Sequence, residues 1–381
     1  MSAIDNLMRQ PQADGKYHIP SSNSAEELFD QRVVETWNSP AIRVNMKDFI
    51  RDREHDGIYD SVEVQNDVAE LERYHQNKIA ISNFDAAEMA KDEEGVRALA
   101  EGNYYYTERG KAATAAEYIL MEGIHSYGWL GENVDVVPAT EYDDVFNGVD
   151  FIVIFRGETP DQDLYLGVDA TSRTDPEFLN KKIEMVRKKM RKEGIYHVKY
   201  FHDKDLEDRQ SIHHDLQKKN LLHTANNYIQ EVDINIPAKK SLELPRIILG
   251  FSPELLGLMA HMMKKTSDKQ ANTPDQEMSI DLLDQARSQV SAQLEALIRV
   301  NVSSNFTFIK NGWSNQISQI VNNEHIDKRL QHIIGIYVKV LDKIETLFIQ
   351  KTNGGLIKNN LNNGTRFSPL YDQHIDLVEK F

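Results

Sequence analysis

The chain has 381 residues, no cysteine, 44 Lys and Arg, 60 Asp and Glu, and a formal net charge of −16 at pH 7. At about 150 residues per domain, this length predicts two or three domains. The absence of cysteine excludes disulfides, thiolate catalysis and cysteine-based metal sites, so any metal ion must be bound by carboxylates or histidines. The sequence shows neither a membrane-spanning apolar run nor a secretion signal. We therefore expect a cytoplasmic protein without a membrane partner.

The negative charge is concentrated in the first part of the chain. Residues 1–150 hold 13 Lys and Arg against 30 Asp and Glu, whereas residues 151–381 hold 31 against 30. Within the second part, residues 171–200 hold nine basic and four acidic residues, and we call this stretch the basic segment. A local excess of positive charge favours contact with phosphate groups, even in a protein whose net charge is negative.

The predicted elements begin after a polar N-terminal region. Residues 1–111 are acidic, and we expect a mostly helical or irregular extension there. From residue 112 to about residue 126 the apolar residues recur at helical spacing, and Glu117 lies on the same stripe. Three β-rich segments follow, WLGENVDVVP, GVDFIVIF and LYLGVDATS, and they predict a meander of strands. The middle segment is apolar throughout, which indicates a strand that is buried on both faces.

The next segments predict a helix and further strands. The run TDPE at residues 174–177 combines a capping side chain, a proline suited to the first helical position and an acid in the first turn. It predicts a helix that continues to about Glu193 with a narrow apolar stripe and a basic surface. IYHVKYF predicts a strand, residues 203–244 a polar insertion, and PRIILGFS a buried strand. The α/β core is therefore expected to span residues 112–265.

Two long amphipathic segments predict a helical hairpin at residues 279–352, which is followed by an Asn-rich tail at 353–381. Its helices, at about 279–300 and 326–350, are also the candidate surface for a homodimer. Together these elements predict an α/β fold in which flanking helices cover a small mixed sheet and a helical hairpin follows it.

The predicted strand register brings two aspartates together. If Phe155 pairs with Leu164 across the turn, antiparallel pairing places Asp150 opposite Asp169 on one face of the sheet. Because like charges at that distance repel, a cation is expected between them. Glu117 lies on the apolar stripe of the preceding helix, where a carboxylate is costly to bury unless it is paired or binds a metal. Three carboxylates suit Mg²⁺ or Mn²⁺, hard ions that favour phosphate substrates.

The order of these elements resembles the PD-(D/E)XK nuclease superfamily over about residues 112–252. A helix with Glu117 is followed by a strand, a strand that begins with Asp150, a strand that ends with Asp169 and Thr171, a helix and a strand. The resemblance implies a restriction-endonuclease-like core in which these three acids bind one or two divalent ions.

The same resemblance points to a lysine. In that superfamily a lysine two positions after the second strand acid helps to orient the attacking water, and Thr171 occupies this position here. A hydroxyl group cannot supply the positive charge. Basic residues of the next helix are therefore the candidates, with Lys181 and Lys182 first among them.

These observations predict a divalent-metal-dependent endonuclease or exonuclease that hydrolyses phosphodiester bonds, with DNA favoured over RNA as the substrate. Its catalytic residues are expected to be Glu117, Asp150, Asp169 and Lys182. The basic helix is expected to contact flanking phosphates through Lys181, Lys182, Arg187, Lys188, Lys189, Arg191 and Lys192.

Two alternatives stay open. The first is a non-catalytic protein of the same fold, which binds nucleic acid or assembles with partners through its C-terminal helices. The second is that the acidic first part of the chain mimics phosphate, covers the basic segment and inhibits the site.

Overall fold

The computed structural model describes residues 46, 59–89, 108–131, 133–172, 176–201, 241–251, 256, 257, 259, 273–302, 317 and 326–353. The helices are α1 (Ser61–Met89), α2 (Glu108–His125), α3 (Pro176–Glu193), α4 (Thr273–Asn301) and α5 (Lys328–Asn353). The strands are β1 (Val134–Pro138), β2 (Phe151–Phe155), β3 (Leu164–Thr171), β4 (Tyr196–Val198), β5 (Leu242–Leu244) and β6 (Arg246–Gly250). Most of the predicted N-terminal extension, most of the predicted insertion and the predicted tail beyond residue 353 lie outside the described residues.

The main sheet is mixed and has four strands in the order β1-β2-β3-β6. Strands β1, β2 and β3 form an antiparallel meander, and β6 runs parallel to β3. Phe155 pairs with Leu164 and Phe151 pairs with Val168, which is the predicted register. The prediction of a small mixed sheet with flanking helices is confirmed.

Strand β4 is the strand that IYHVKYF predicted, and it belongs to a second, smaller sheet. It follows α3 directly, but it pairs with β5 in a separate two-stranded sheet, and β6 takes the place beside β3. Every residue of β6 is buried, because helix α4 covers this edge strand of the main sheet, whereas the middle residues of β4 and β5 are partly exposed.

Helices α4 and α5 form the predicted hairpin. Tyr337 donates a hydrogen bond to Gln293 at 3.2 Å, and Arg287 lies 4.3 Å from the ring centre of Phe348, so the helices run antiparallel. Their apolar stripes are buried together with the strands in one hydrophobic core. The face expected to form a homodimer therefore packs within the chain, and a dimer through these helices stays a prediction.

Helix α4 also covers the edge of the sheet. The side-chain amide of Gln289 donates to the carbonyl of Ile248 at 2.8 Å and accepts from its N–H at 2.9 Å, and Gln293 donates to the carbonyl of Arg246 at 2.6 Å. Residues four apart on a helix and two apart on a strand have nearly the same spacing of about 6 Å. The two glutamines thus satisfy the edge of β6 and fix the backbone of Arg246.

None of the helices in the described ranges is long and apolar enough to cross a membrane.

Candidate active site

Asp150 lies just before β2, at the end of the sheet where β3 finishes. Its N–H donates to the carbonyl of Val168 at 2.8 Å, and its carboxylate accepts a hydrogen bond from the N–H of Ala170 at 2.7 Å. The side chain is buried. Because both contacts are to the backbone of β3, they hold Asp150 against the strand that contains Asp169.

Asp169 lies on β3 and is the centre of an ion cluster. Its Oδ1 accepts from the ammonium of Lys182 on α3, and its Oδ2 accepts from the guanidinium of Arg246 on β6. Asp169 and Arg246 are 4% and 3% exposed, so both charges of this pair are withdrawn from water. Lys181 lies elsewhere: it is exposed and pairs with Glu177 at 2.7 Å.

Arg246 is enclosed by its neighbours. Its Nη1 donates to the hydroxyl of Tyr196 at 3.1 Å, and its guanidinium carbon lies 5.0 Å from the centre of the Tyr196 ring. Gly148 packs on the same guanidinium: a Cβ added there would lie 2.7 Å from Nη2, and the φ of Gly148 is +62°. Both the close approach and the left-handed backbone require glycine at this position.

The electrostatics of the cluster keep Arg246 charged. Burial acts to lower the pKa of Arg246, but the charges of Asp169 and Asp150 and the hydrogen bond with Tyr196 outweigh it, so that the pKa is raised. Burial also raises the pKa of Tyr196 and keeps its hydroxyl protonated. Asp150, Asp169, Lys182 and Arg246 together have two formal negative and two formal positive charges. Arg246 and Lys182 thus supply positive charge where the sequence predicted a cation.

Glu117 is buried on α2, as the sequence predicted. In the part of the chain that the structure describes, no three His, Asp and Glu side chains are grouped so that they could hold a metal ion. Glu117, Asp150 and Asp169 all belong to the described part of the chain, so this result applies to them. The role of Glu117 as a third metal ligand stays a prediction.

A π-helix at Asp143–Asn147 positions the segment that leads to Asp150. The carboxylate of Asp143 is fully buried and accepts hydrogen bonds from the N–H groups of Lys199 and Tyr200 at 2.7 and 2.9 Å. Burial raises the pKa of Asp143, although these hydrogen bonds oppose that effect. The contacts tie the π-helix to the residues after β4, and Gly148 follows it directly.

The seven predicted phosphate-binding residues lie on α3 in different settings. Lys182 points to Asp169, whereas four others pair with acids of the same helix: Lys181, Arg187, Lys189 and Lys192. Lys188 and Arg191 are exposed and form no ion pair with any described residue. These two are therefore the cations of α3 that are most available to an external anion.

The acidic helix α1 contacts Lys199, which lies near the end of the basic segment. Lys199 forms ion pairs with Glu63 at 2.9 Å and with Asp67 at 2.5 Å, both on α1. Asp67 also accepts a hydrogen bond from the hydroxyl of Tyr200. This contact agrees with the hypothesis that acidic residues of the N-terminal region cover part of the basic segment.

Arg246 and Tyr196 were not among the site residues predicted from the sequence. A signal for Arg246 was present, because PRIILG is a buried-type strand that begins with a charged residue. A buried charge requires a partner of opposite charge. Tyr196 had no comparable signal, since a tyrosine on a short strand is ordinary core material.

Comparison with known proteins finds no match to the chain among protein-family models, curated proteins or solved structures.

Proposed function

We propose that the protein is a divalent-metal-dependent nuclease with a restriction-endonuclease-like core. Lys182 supports the proposal most directly: it reaches from α3 to the carboxylate of Asp169, while Asp150 is held against the same strand. The resemblance implies two acids at neighbouring strands and a lysine whose ammonium lies next to one of these acids. Lys182 thereby supplies the charge that Thr171 cannot.

The order of the elements agrees with the resemblance. Helix α2, strands β1, β2 and β3, helix α3 and strand β4 follow one another along the chain in the order that it implies. The strand that pairs with β3 in parallel is β6. Asp150 directly precedes β2, and Asp169 lies near the end of β3, as that order requires.

Carboxylate oxygens are the ligands that a hard divalent ion prefers, but both oxygens of Asp169 accept hydrogen bonds from Lys182 and Arg246. Asp150 and Asp169 would hold it through carboxylate oxygens, with Glu117 as the third predicted ligand. When bound, such an ion lowers the pKa of a water molecule and stabilises charge on the phosphate. The ammonium of Lys182 adds positive charge at Asp169, and the burial of the cluster strengthens its electrostatic effects.

Asp150→Asn is the first test of the nuclease proposal. The amide keeps an oxygen that can accept from the N–H of Ala170, so the fold should be retained while the charge is lost. We expect the wild-type protein to cleave plasmid or single-stranded DNA, or RNA, with Mg²⁺ or Mn²⁺, and the variant to cleave at least about 100-fold more slowly. Equal cleavage by the two proteins, or no cleavage by the wild type, would reject the proposal.

Replacing Lys188 and Arg191 with glutamine tests whether α3 binds phosphates. Because each neutralised phosphate releases counterions, we expect the double variant to bind duplex DNA more weakly and with a shallower salt dependence. The slope should fall by about 0.9 for each phosphate that the variant no longer neutralises. Binding at several salt concentrations measures this slope. The control replaces Lys339 and Lys343 on α5 with glutamine, and an equal slope change in both variants would remove α3 as a phosphate-binding surface.

The Arg246–Asp169 pair favours the alternative of a non-catalytic protein of the same fold. In that case the ion pair is a structural feature that replaces a metal site. This alternative predicts that Mg²⁺ does not raise the melting temperature and that Asp150→Asn leaves nucleic-acid binding unchanged.

A further inference from the structure

The segment that begins at Tyr59 and continues through α1 covers a lysine and three aromatic rings. We call these four residues the Lys199 patch: Tyr142, Phe146, Lys199 and Tyr200. We propose that the Lys199 patch is a binding surface for single-stranded nucleic acid and that α1 occupies it in this structure. The inference rests on the proposed function only for the class of ligand, and it needs neither a metal ion nor cleavage.

Two carboxylates of α1 lie where the phosphates of a nucleic acid would bind. The ammonium of Lys199 pairs with Glu63 at 2.9 Å and with Asp67 at 2.5 Å. Asp67 also accepts a hydrogen bond from the hydroxyl of Tyr200. Carboxylate and phosphate oxygens are both charged acceptors for a lysine ammonium. An acid of α1 and a phosphate therefore compete for the same group.

Two tyrosine rings of the same segment lie against the aromatic members of the patch. The ring centres of Tyr59 and Tyr200 are 5.2 Å apart, and those of Tyr74 and Phe146 are 5.9 Å apart. Within the patch, the ring of Tyr142 lies 4.8 Å from that of Phe146 and 5.5 Å from that of Tyr200. Proteins that bind single strands combine positive charge for the backbone with aromatic rings on which bases stack. The segment thus presents carboxylates and rings to the patch as a single strand presents phosphates and bases.

The contact of α1 with the rest of the chain has the features of a cover that can be displaced. Its buried apolar residues Val64 and Leu71 belong to a small cluster that is separate from the main hydrophobic core. The side chain of Glu63 is 40% exposed and that of Lys199 is 27% exposed, so water and salt screen their ion pair. A polyanion can therefore replace the helix at a modest cost in free energy.

Backbone hydrogen bonds join the patch to the candidate active site. The N–H groups of Lys199 and Tyr200 donate to the carboxylate of Asp143, and the carbonyl of Asp143 accepts from the N–H of Val149 at 3.2 Å. Val149 directly precedes Asp150. A single strand bound at the patch therefore lies beside the segment that carries Asp150.

The double variant Glu63→Gln, Asp67→Asn in the full chain tests the inference, with fluorescent oligothymidylate as the probe and EDTA present. The variant keeps the shape of both side chains and removes their charge at Lys199. We expect it to bind oligothymidylate at least about fivefold more tightly than the wild type. The matched control is Glu70→Gln, Glu72→Gln, which removes the same charge from exposed positions of the same helix and should change the affinity less than about twofold. An equal gain in both variants, or a gain in neither, would overturn the inference.

Two further substitutions in the Glu63→Gln, Asp67→Asn background test the lysine and the rings. Adding Lys199→Gln should remove the gain in affinity. Adding Phe146→Leu should weaken the binding of oligothymidylate by about tenfold, because a ring at the surface is lost, and should leave the binding of inorganic polyphosphate unchanged. A gain that survives Lys199→Gln, or a Phe146→Leu variant in which the two ligands respond equally, would overturn the inference.

A second measurement uses the wild-type protein and does not depend on the folding of a variant. At saturating oligothymidylate we expect the backbone amides of α1 to exchange hydrogen faster than in the free protein, whereas those of α5 keep their rates. Unchanged protection of α1 in the saturated complex, or no binding of oligothymidylate to the wild type, would overturn the inference.

Neither cleavage nor metal binding is part of these readouts, so the inference and the nuclease proposal can fail separately. Tighter oligothymidylate binding by Glu63→Gln, Asp67→Asn without cleavage by the wild type rejects the nuclease alone. Metal-dependent cleavage by the wild type, with oligothymidylate affinity unchanged in that variant, rejects the inference alone.

Discussion

Replacing Asp169 with alanine is expected to destabilise the protein by about 3–5 kcal/mol. The carboxylate of Asp169 is the acceptor for both Lys182 and Arg246, and Arg246 is almost completely buried. Without Asp169 the guanidinium keeps its charge in a place from which water is excluded. Urea unfolding in the presence of EDTA measures the free energy of unfolding without a contribution from bound metal.

Asp135→Ala is the matched control for this measurement. Asp135 also pairs with an arginine, Arg156, whose side chain is 8% exposed, but the side chain of Asp135 is 30% exposed and Arg156 keeps Asp163 as a second partner. We expect a loss of under about 1 kcal/mol for this variant. The double variant Asp169→Ala, Arg246→Met should recover much of the stability lost in Asp169→Ala. If Asp169→Ala is as stable as the wild type, repulsion between Asp169 and Asp150 outweighs the attraction of Asp169 to Lys182 and Arg246. That result would contradict a stabilising role of the ion cluster.

Replacing Lys182 with methionine is expected to slow metal-dependent cleavage by about 10²–10³-fold, the range found when a positioned electrostatic group is removed from an active site. Methionine keeps most of the apolar length of the side chain and removes the ammonium that contacts Asp169. Single-turnover rates at saturating Mg²⁺ separate this effect from weaker metal binding.

The neighbouring residue provides the control. Lys181 belongs to the same helix, has the same side chain and is exposed, with Glu177 as its partner. We expect Lys181→Met to cleave within about twofold of the wild type, since exposed ion pairs contribute little. An equal loss of cleavage rate in the two variants would show that cleavage depends on the general positive charge of α3 and not on the contact of Lys182 with Asp169.

The local parts of the site could be predicted from the sequence. The register of β2 and β3 follows from two short apolar segments around one turn, and the structure has the predicted pairs Phe155–Leu164 and Phe151–Val168. Helix α3 begins at Pro176 and ends at Glu193, as its capping residues indicated. These features depend on residues that are near one another in the chain, where alternation and capping are informative.

The choice between Lys181 and Lys182 was partly available in the sequence. Lys182 lies three residues after Leu179 and next to Ile183, both on the buried stripe of α3, so it borders the face that packs on the core. Lys181 lies farther from that stripe and is exposed. Helical periodicity alone therefore favoured Lys182, although it could not identify Asp169 as its partner.

The ion cluster itself depends on interactions between distant parts of the chain. Arg246 is 77 residues from Asp169 and 50 residues from Tyr196. The pairing of β4 with β5 similarly joins Tyr196 to Leu244, and no local pattern specifies such a pairing. Only the assembled fold places a guanidinium where the sequence suggested a metal ion.

A crystal soaked in Mn²⁺ and measured for anomalous scattering tests the central claim most directly. The account predicts a manganese peak at bonding distance from the carboxylates of Asp150 and Asp169. Density that shows Arg246 still bound to Asp169, with no anomalous peak beside the two aspartates at saturating Mn²⁺, would contradict it.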